Sequence, residues 1–160
     1  MKIFAIDPGP NTSAYVRLER NSGKNPTILE AVEVENESLL SLLQLIRSTS
    51  TELVIEKVAC YGMTVGKDIF DTVFWTGRFF ERASCTDKHR LERRDVKMHL
   101  CNSARAKDKN IRQALIDRYG GDTIAIGSKK EPGPLYGIKS DMWAALAVGI
   151  TYFDGIRTKE

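Results

Sequence analysis

The chain opens on a short apolar run, Lys2 to Ile6, that stops at Asp7-Pro8-Gly9-Pro10. Two prolines and a glycine within four positions forbid continued pairing, so the pattern predicts a buried strand ending at Asp7. Ala14, Val16 and Leu18 then alternate with Tyr15, Arg17 and Glu19. Beyond the turn-rich stretch from Asn21 to Pro26, Val32 and Val34 alternate with Glu33 and Glu35. A period of two predicts antiparallel, half-buried strands that complete a meander with the first. Asn36 is placed to N-cap a helix in which Leu39, Leu40, Leu43 and Ile46 recur at helical spacing. The run Leu53-Val54-Ile55 predicts a strand covered on both faces, and it ends on Glu56.

From Lys67 to Arg82 the pattern is helical, with Ile69, Phe70, Val73, Phe74, Gly77 and Phe80 on one broad face and Trp75 and Phe79 outside it. A small protein cannot bury a helix that is apolar on more than one side, so the second face predicts a homodimer. Lys88 to Arg94 reads as a charged edge strand. A helix follows to about Tyr119, closed by Gly120-Gly121, with Ile111, Ala114 and Leu115 toward the core and Arg105, Lys109 and Arg112 as a basic stripe. Residues 127–138 hold Gly127, Pro132, Gly133, Pro134 and Gly137, a loop of the length that is usually functional or disordered. In the last helix, from Ser140 to Phe153, the small residues Ala144, Ala145, Ala147 and Gly149 allow close approach to a sheet. These elements predict an α/β fold, a mixed central sheet with an antiparallel three-strand meander flanked by helices.

Length and charge narrow the function. The 160 residues suit a single domain spanning 1–160, and 42% apolar with 28% charged residues excludes disordered and fibrous classes. No uncharged apolar run reaches about 18 residues, and Asp7 comes too early for a signal-peptide core, so the expectation is a cytoplasmic protein with no membrane partner. Cys60, Cys85 and Cys101 lack zinc-ligand spacing and read as reduced, mostly buried thiols, while His89 and His99 read as structural. Net charge is only +3, yet residues 86–118 carry ten Lys or Arg against five Asp or Glu. A one-sided basic block on a nearly neutral chain is the footprint of a polyanion partner, nucleic acid first.

Asp7 and Glu56 each end a buried strand, and Asp141 lies on the helix face that continues through Ala144, Ala145, Val148 and Tyr152. Each acid alone has an ordinary explanation as a turn opener, a solvated strand end or a first-turn helix acid. Together they would repel one another and be costly to bury, so they call for cations. Oxygen donors without His or Cys favour Mg²⁺, with Mn²⁺ able to substitute, over zinc. Two such ions about 3.5 to 4 Å apart suit phosphodiester hydrolysis. Acids for metal beside a basic track for phosphates predict a nuclease.

Phe4-Ala5-Ile6-Asp7-Pro8-Gly9, Val54-Ile55-Glu56-Lys57 and Ser140-Asp141-Met142-Trp143-Ala144-Ala145-Leu146-Ala147-Val148 resemble, in order and spacing, the RuvC-like Holliday-junction resolvases. The segment from Arg93 to Cys101, with Arg105-Ala106-Lys107-Asp108 and Ile111 to Asp117, is similar to the phage and prophage branch. The resemblance implies an RNase H-like fold and a homodimeric endodeoxyribonuclease. Such an enzyme nicks opposed strands of a four-way or branched DNA junction, with two Mg²⁺ ions per subunit. It assigns catalysis and metal binding to Asp7, Glu56 and Asp141. The family usually carries a second helix acid three residues on, where this chain has Ala144. Three readings of that gap stay open: water and phosphate hold one ion more fully, another carboxylate such as Asp68 or Asp71 substitutes, or activity is reduced. Arg105, Lys107, Lys109 and Arg112 fall where the family grips junction phosphates. Lys57 and Tyr61 follow Glu56 as further DNA contacts, with Tyr61 or Met63 as the wedge. Two other nucleic-acid functions stay open, another RNase H-like nuclease acting on RNA–DNA hybrids or ribosomal RNA, and a junction-binding protein with weak or no cleavage. The Asp-x-Gly opening also occurs in the actin and sugar-kinase superfamily, whose two-domain chains exceed this length, so no nucleotide cofactor is expected.

Overall fold

In a computed structural model, which describes residues 2–46, 50–85 and 87–156, the first apolar run forms β1 (Lys2–Asp7) at the centre of a five-stranded sheet. β2 (Thr12–Glu19) and β3 (Thr27–Glu35) continue it antiparallel on one side. β4 (Thr51–Lys57) and β5 (Lys88–Glu92) add parallel strands on the other, giving the order β3-β2-β1-β4-β5. The helices are α1 (Asn36–Leu45), α2 (Lys67–Arg82), α3 (Arg93–Cys101), α4 (Asp108–Arg118), the single turn α5 (Asp122–Ala125) and α6 (Met142–Phe153).

Alternation along the strands makes two cores, one on each face of the sheet. Phe4, Ile6, Leu53 and Ile55 pack with Leu39 and Leu43 of α1 and Phe79 of α2. Ile3, Ala5, Val16 and Val54 pack with α3, α4 and α6. Asp7 follows Ile3 and Ala5 in parity and Glu56 follows Val54, so both acids emerge on the α6 face. Ile6 lies opposite Ile55 in the parallel β1–β4 pair, which sets the two acids side by side at the carboxyl ends of adjacent strands. At Gly149, α6 runs so close to the sheet that a Cβ would stand 2.7 Å from Leu18 Cδ1 and 3.0 Å from Ala5 Cβ. The small residues of this helix thus serve the close packing their pattern predicts.

Several elements differ from the sequence reading. The edge strand ends at Glu92, and Arg93 and Arg94 open α3 instead. The predicted long basic helix is two helices, because Asn102 takes a left-handed conformation (φ 53°) and ends α3, leaving Arg105 in the connecting turn. Asn36 is the first residue of α1, not its cap. On α2 the buried positions are Thr72, Thr76 and Phe79, while Phe70, Val73 and Phe74 of the broad stripe are exposed. The threonines can face the core because their hydroxyls donate to the carbonyls of Asp68 and Thr72 four residues earlier.

The 127–138 segment is built into the fold. Gly127 and Pro132 form an antiparallel bridge, Leu135 N–H donates to Ala125 O at 2.7 Å, and Leu135 and Ile138 are buried. Cys85 is buried and Cys101 half-buried, whereas Cys60 is exposed, so the expectation of mostly buried thiols fails at Cys60. His99 bonds Asp154 at 2.6 Å beside Arg118, tying α3 and α4 to the end of α6, and His89 lies against the Tyr152 ring, both structural positions. Among the described residues no helix is long and apolar enough to cross a membrane.

Candidate active site

The turn after β1 is fixed by a closed ring of hydrogen bonds. Gly9 N–H donates to Ser13 Oγ at 3.1 Å, Ser13 Oγ donates to Asn36 Oδ1 at 2.6 Å, and Asn36 Nδ2 donates to Gly9 O at 2.9 Å. A Cβ on Gly9 would stand 2.3 Å from Thr12 O, so the chain passes where only glycine fits. This ties the backbone beyond Asp7 to the starts of β2 and α1, and explains why Asn36 is buried.

Asp7 is partly buried, and among the described residues no side chain hydrogen-bonds its carboxylate. Burial, then the negative charge of Glu56, with smaller contributions from Asp141 and Asp108, push its pKa up to about 8 against the pull of Arg93. Glu56, with 14% of its side chain exposed, is also raised, by burial, although Arg93 opposes the shift. Arg93 Nη1 donates to both Glu56 carboxylate oxygens at 3.0 and 3.2 Å, and Nη2 donates to Asp108 Oδ1 at 2.6 Å. Burial disfavours the Arg93 charge, but Glu56 and Asp108 more than offset that, and its pKa is raised.

Asp141 occupies the N-cap position of α6 and is exposed, rather than lying on the face that covers the sheet. The reason is Ser140, whose left-handed backbone (φ 46°) delays the first helical residue to Met142. Asp7, Arg93, Asp108, Ser140, Asp141 and Ala144 line one small cavity of about 160 Å³. Asp68 and Asp71 do not take the place left by Ala144, since α2 packs on the opposite sheet face and Asp71 pairs with Lys67 at 2.5 Å. Among the described residues no three His, Cys, Asp or Glu side chains converge closely enough to hold one ion, and the Arg93 guanidinium stands among the acids. The donor chemistry nevertheless fits a hard divalent cation. Every candidate is a carboxylate, and burial first, then the neighbouring Glu56 charge, raises the pKa of Asp7.

Beside the small cavity runs a groove of about 630 Å³ whose lining includes Glu56, Lys57, Tyr61, Met63, Arg94 and Lys97, with Arg93 on the boundary of both. Lys57 Nζ and Tyr61 Oη both donate to Glu92, at 3.1 and 2.9 Å. Arg105 and Lys107 are exposed on the turn between α3 and α4, next to the groove-lining Ala104. Lys109 is exposed on α4, and the Arg112 guanidinium lies 5.0 Å from the Trp143 ring centroid. Arg93, Arg94, Lys97 and Asp108 were not singled out by sequence. The available signal was that Asp108 is the sole acid between Val96 and Ile116.

No family model and no curated protein matches the sequence. Solved structures do match the fold. Thermus thermophilus RuvC superposes with a TM-score of 0.65 at 16% identity, over 96% of this chain and 93% of that one. T. thermophilus RuvC in complex with Holliday junction substrate gives 0.64 at 15% identity with the same coverage. The mixed sheet with its antiparallel meander is therefore RNase H-like, and the chain has the fold of T. thermophilus RuvC over nearly its whole length.

Proposed function

We propose that the chain is a divalent-metal-dependent endodeoxyribonuclease that resolves four-way or related branched DNA junctions, acting as a homodimer that nicks opposed strands. The observation that carries this reading is the side-by-side placement of Asp7 and Glu56 at the carboxyl ends of adjacent parallel strands, with Asp141 on the same small cavity as Asp7. It occurs in a fold shared with a protein solved on a Holliday junction. Asp7, Glu56 and Asp141 would hold Mg²⁺, or Mn²⁺ in its place. Two such ions would supply activation of a water toward phosphorus and neutralisation of the leaving oxygen.

The chain's own residues bind and orient. Lys57, Arg94 and Lys97 give the groove positive charge, and Arg105 and Lys107 extend it across the α3–α4 turn, which suits a phosphate backbone. Tyr61 and Met63 are 58% and 71% exposed beside that groove, where an aromatic or thioether side chain can insert between unstacked base pairs. Phe70, Val73 and Phe74 form an exposed apolar stripe on α2, suited to a second copy of the chain, which would bring the second cut.

Incubation of the full chain with Mg²⁺ and a labelled synthetic four-way junction, beside linear duplex and RNA–DNA hybrid, tests the reading. Paired, symmetric nicks confined to the junction are expected. Preferential cutting of the hybrid would reassign the substrate, and tight junction binding without cuts would make the chain a binding protein.

A further inference from the structure

Lys57, Tyr61 and Arg94 line the groove beside the small cavity, yet the polar ends of the first two are turned to a residue of the chain itself. Lys57 Nζ donates to Glu92 Oε1 at 3.1 Å and Tyr61 Oη donates to Glu92 Oε2 at 2.9 Å, so each oxygen of one carboxylate takes one of the groove's donors. Glu92 lies at the flank of the groove, outside its lining. The bond from Tyr61, then that from Lys57, holds its carboxyl below the usual range, and the Arg94 charge adds to them.

Part of this is ordinary strand pairing. Lys57 stands opposite Glu92 in the parallel β4–β5 ladder, where opposite charges attract. Tyr61 is not accounted for in that way. It lies in a turn beyond β4, closed by Met63 N–H donating to Cys60 O at 2.8 Å, and its backbone is left-handed (φ 43°), as is that of Gly62 (φ 81°). That conformation is costly for a residue with a Cβ and lasts only where other contacts hold it, and the hydroxyl bond to Glu92 is such a contact. The Tyr61 ring belongs to neither core. A strained, exposed side chain held at its tip by one carboxylate can be released without disturbing the packing of the sheet.

The chemistry of this grip indicates what competes for it. A phosphodiester carries one negative charge on two unbridged oxygens, as a carboxylate does, and accepts from the same ammonium and hydroxyl donors. Lys57 directly follows Glu56, so a phosphate held there would lie beside the candidate active site.

We propose that Glu92 is an internal stand-in for a DNA phosphate, holding the Lys57 ammonium and the Tyr61 hydroxyl until a phosphodiester of the junction backbone takes both over. This rests on the DNA-binding part of the function proposed above. DNA must displace Glu92 before it gains these two contacts, and the turn bearing Tyr61 is latched in the free protein and released in the complex.

The test is the affinity of the full chain for a labelled synthetic four-way DNA junction without divalent ions, which reads binding apart from cutting, with circular dichroism to verify folding of each variant. Glu92→Gln should bind about three- to tenfold more tightly than wild type, the scale of a charge-assisted hydrogen bond partly screened by solvent. Breaking a contact that merely supports the fold would leave binding unchanged or weaker, and either result overturns the proposal. Loss of a negative charge also favours DNA from a distance, so the decisive comparison places Glu92→Gln in a Lys57→Met, Tyr61→Phe background. With both donors gone, the tightening should fall below about twofold. If it persists at comparable size, Glu92 acts only through its field and the proposal fails. Should Glu92→Gln not fold, Glu92→Asp keeps the charge but draws the carboxylate back from both donors, and tighter binding is again expected, with unchanged or weaker binding against it. If neither wild type nor Glu92→Gln binds the junction, the DNA-binding reading itself falls and takes this proposal with it. If wild type binds and Glu92→Gln binds no better, the reading stands and the proposal alone is lost.

Discussion

A carboxylate held among other carboxylates at the edge of a core is a source of instability until a cation arrives, and Asp7 carries that conflict. Its pKa rises from 3.8 to about 8, so the folded chain binds the proton more tightly than the unfolded chain does. The resulting stabilisation is complete below about pH 3.8 and is lost as pH rises through about 8. In the absence of divalent ions, urea denaturation should therefore give falling stability between pH 5 and pH 8. Asp7→Asn, which cannot ionise, should lose most of that slope and be the more stable protein at pH 8. A wild-type profile that rises or stays flat across this range would show that Arg93 already satisfies the site. Asp7 and Glu56 were legible in the sequence because each closes an apolar run. Arg93 and Asp108 were not, since an arginine and an aspartate inside a basic block look like solvated surface until folding brings them to Glu56.

At the scale of elements, what could be read depended on what marks a boundary. The Asp7-Pro8-Gly9-Pro10 turn was visible because proline and glycine cannot continue a strand. The break between α3 and α4 contains neither, and left-handed Asn102 accomplishes it. On α2 the periodicity revealed two apolar sides but not which one meets the sheet. The narrower side does, because the Thr72 and Thr76 hydroxyls satisfy themselves on the helix backbone. Two outcomes follow from these elements. Gly9→Ala forces a Cβ against Thr12 O and should cost about 1 to 3 kcal/mol in chemical denaturation, with reduced cutting as the Asp7 turn shifts. Equal stability of variant and wild type would mean the turn yields freely. Phe74→Glu, on the exposed stripe, should convert a dimer to a monomer in analytical ultracentrifugation while leaving the chain folded. A wild-type chain that is monomeric at micromolar concentration would remove the dimer from the proposal.

Across the whole molecule, sheet order and charge distribution act together. Parallel pairing of β1 with β4 brings acids from opposite ends of a fifty-residue stretch together, and the basic block folds into α3, α4 and their connecting turn on the same side. That layering was legible as a mixed α/β sheet, because strand alternation and helical periodicity differ plainly in this chain. The groove was not, because it is formed by contributions from the β1 turn, β4, α2 and α3. Binding to a four-way junction should weaken steeply with salt, and Arg105→Ala and Lys107→Ala should each reduce the slope of log affinity against log salt by about one. An unchanged slope would place the phosphate contacts on another surface.

The most direct measurement is single-turnover cleavage of a four-way junction, with junction affinity measured in parallel, for wild type, Asp7→Asn and Glu56→Gln. Loss of cutting by about two orders of magnitude or more in both variants, with affinity equal to or tighter than wild type, is the predicted result. Either variant cutting at close to the wild-type rate would contradict a centre built on the ends of β1 and β4.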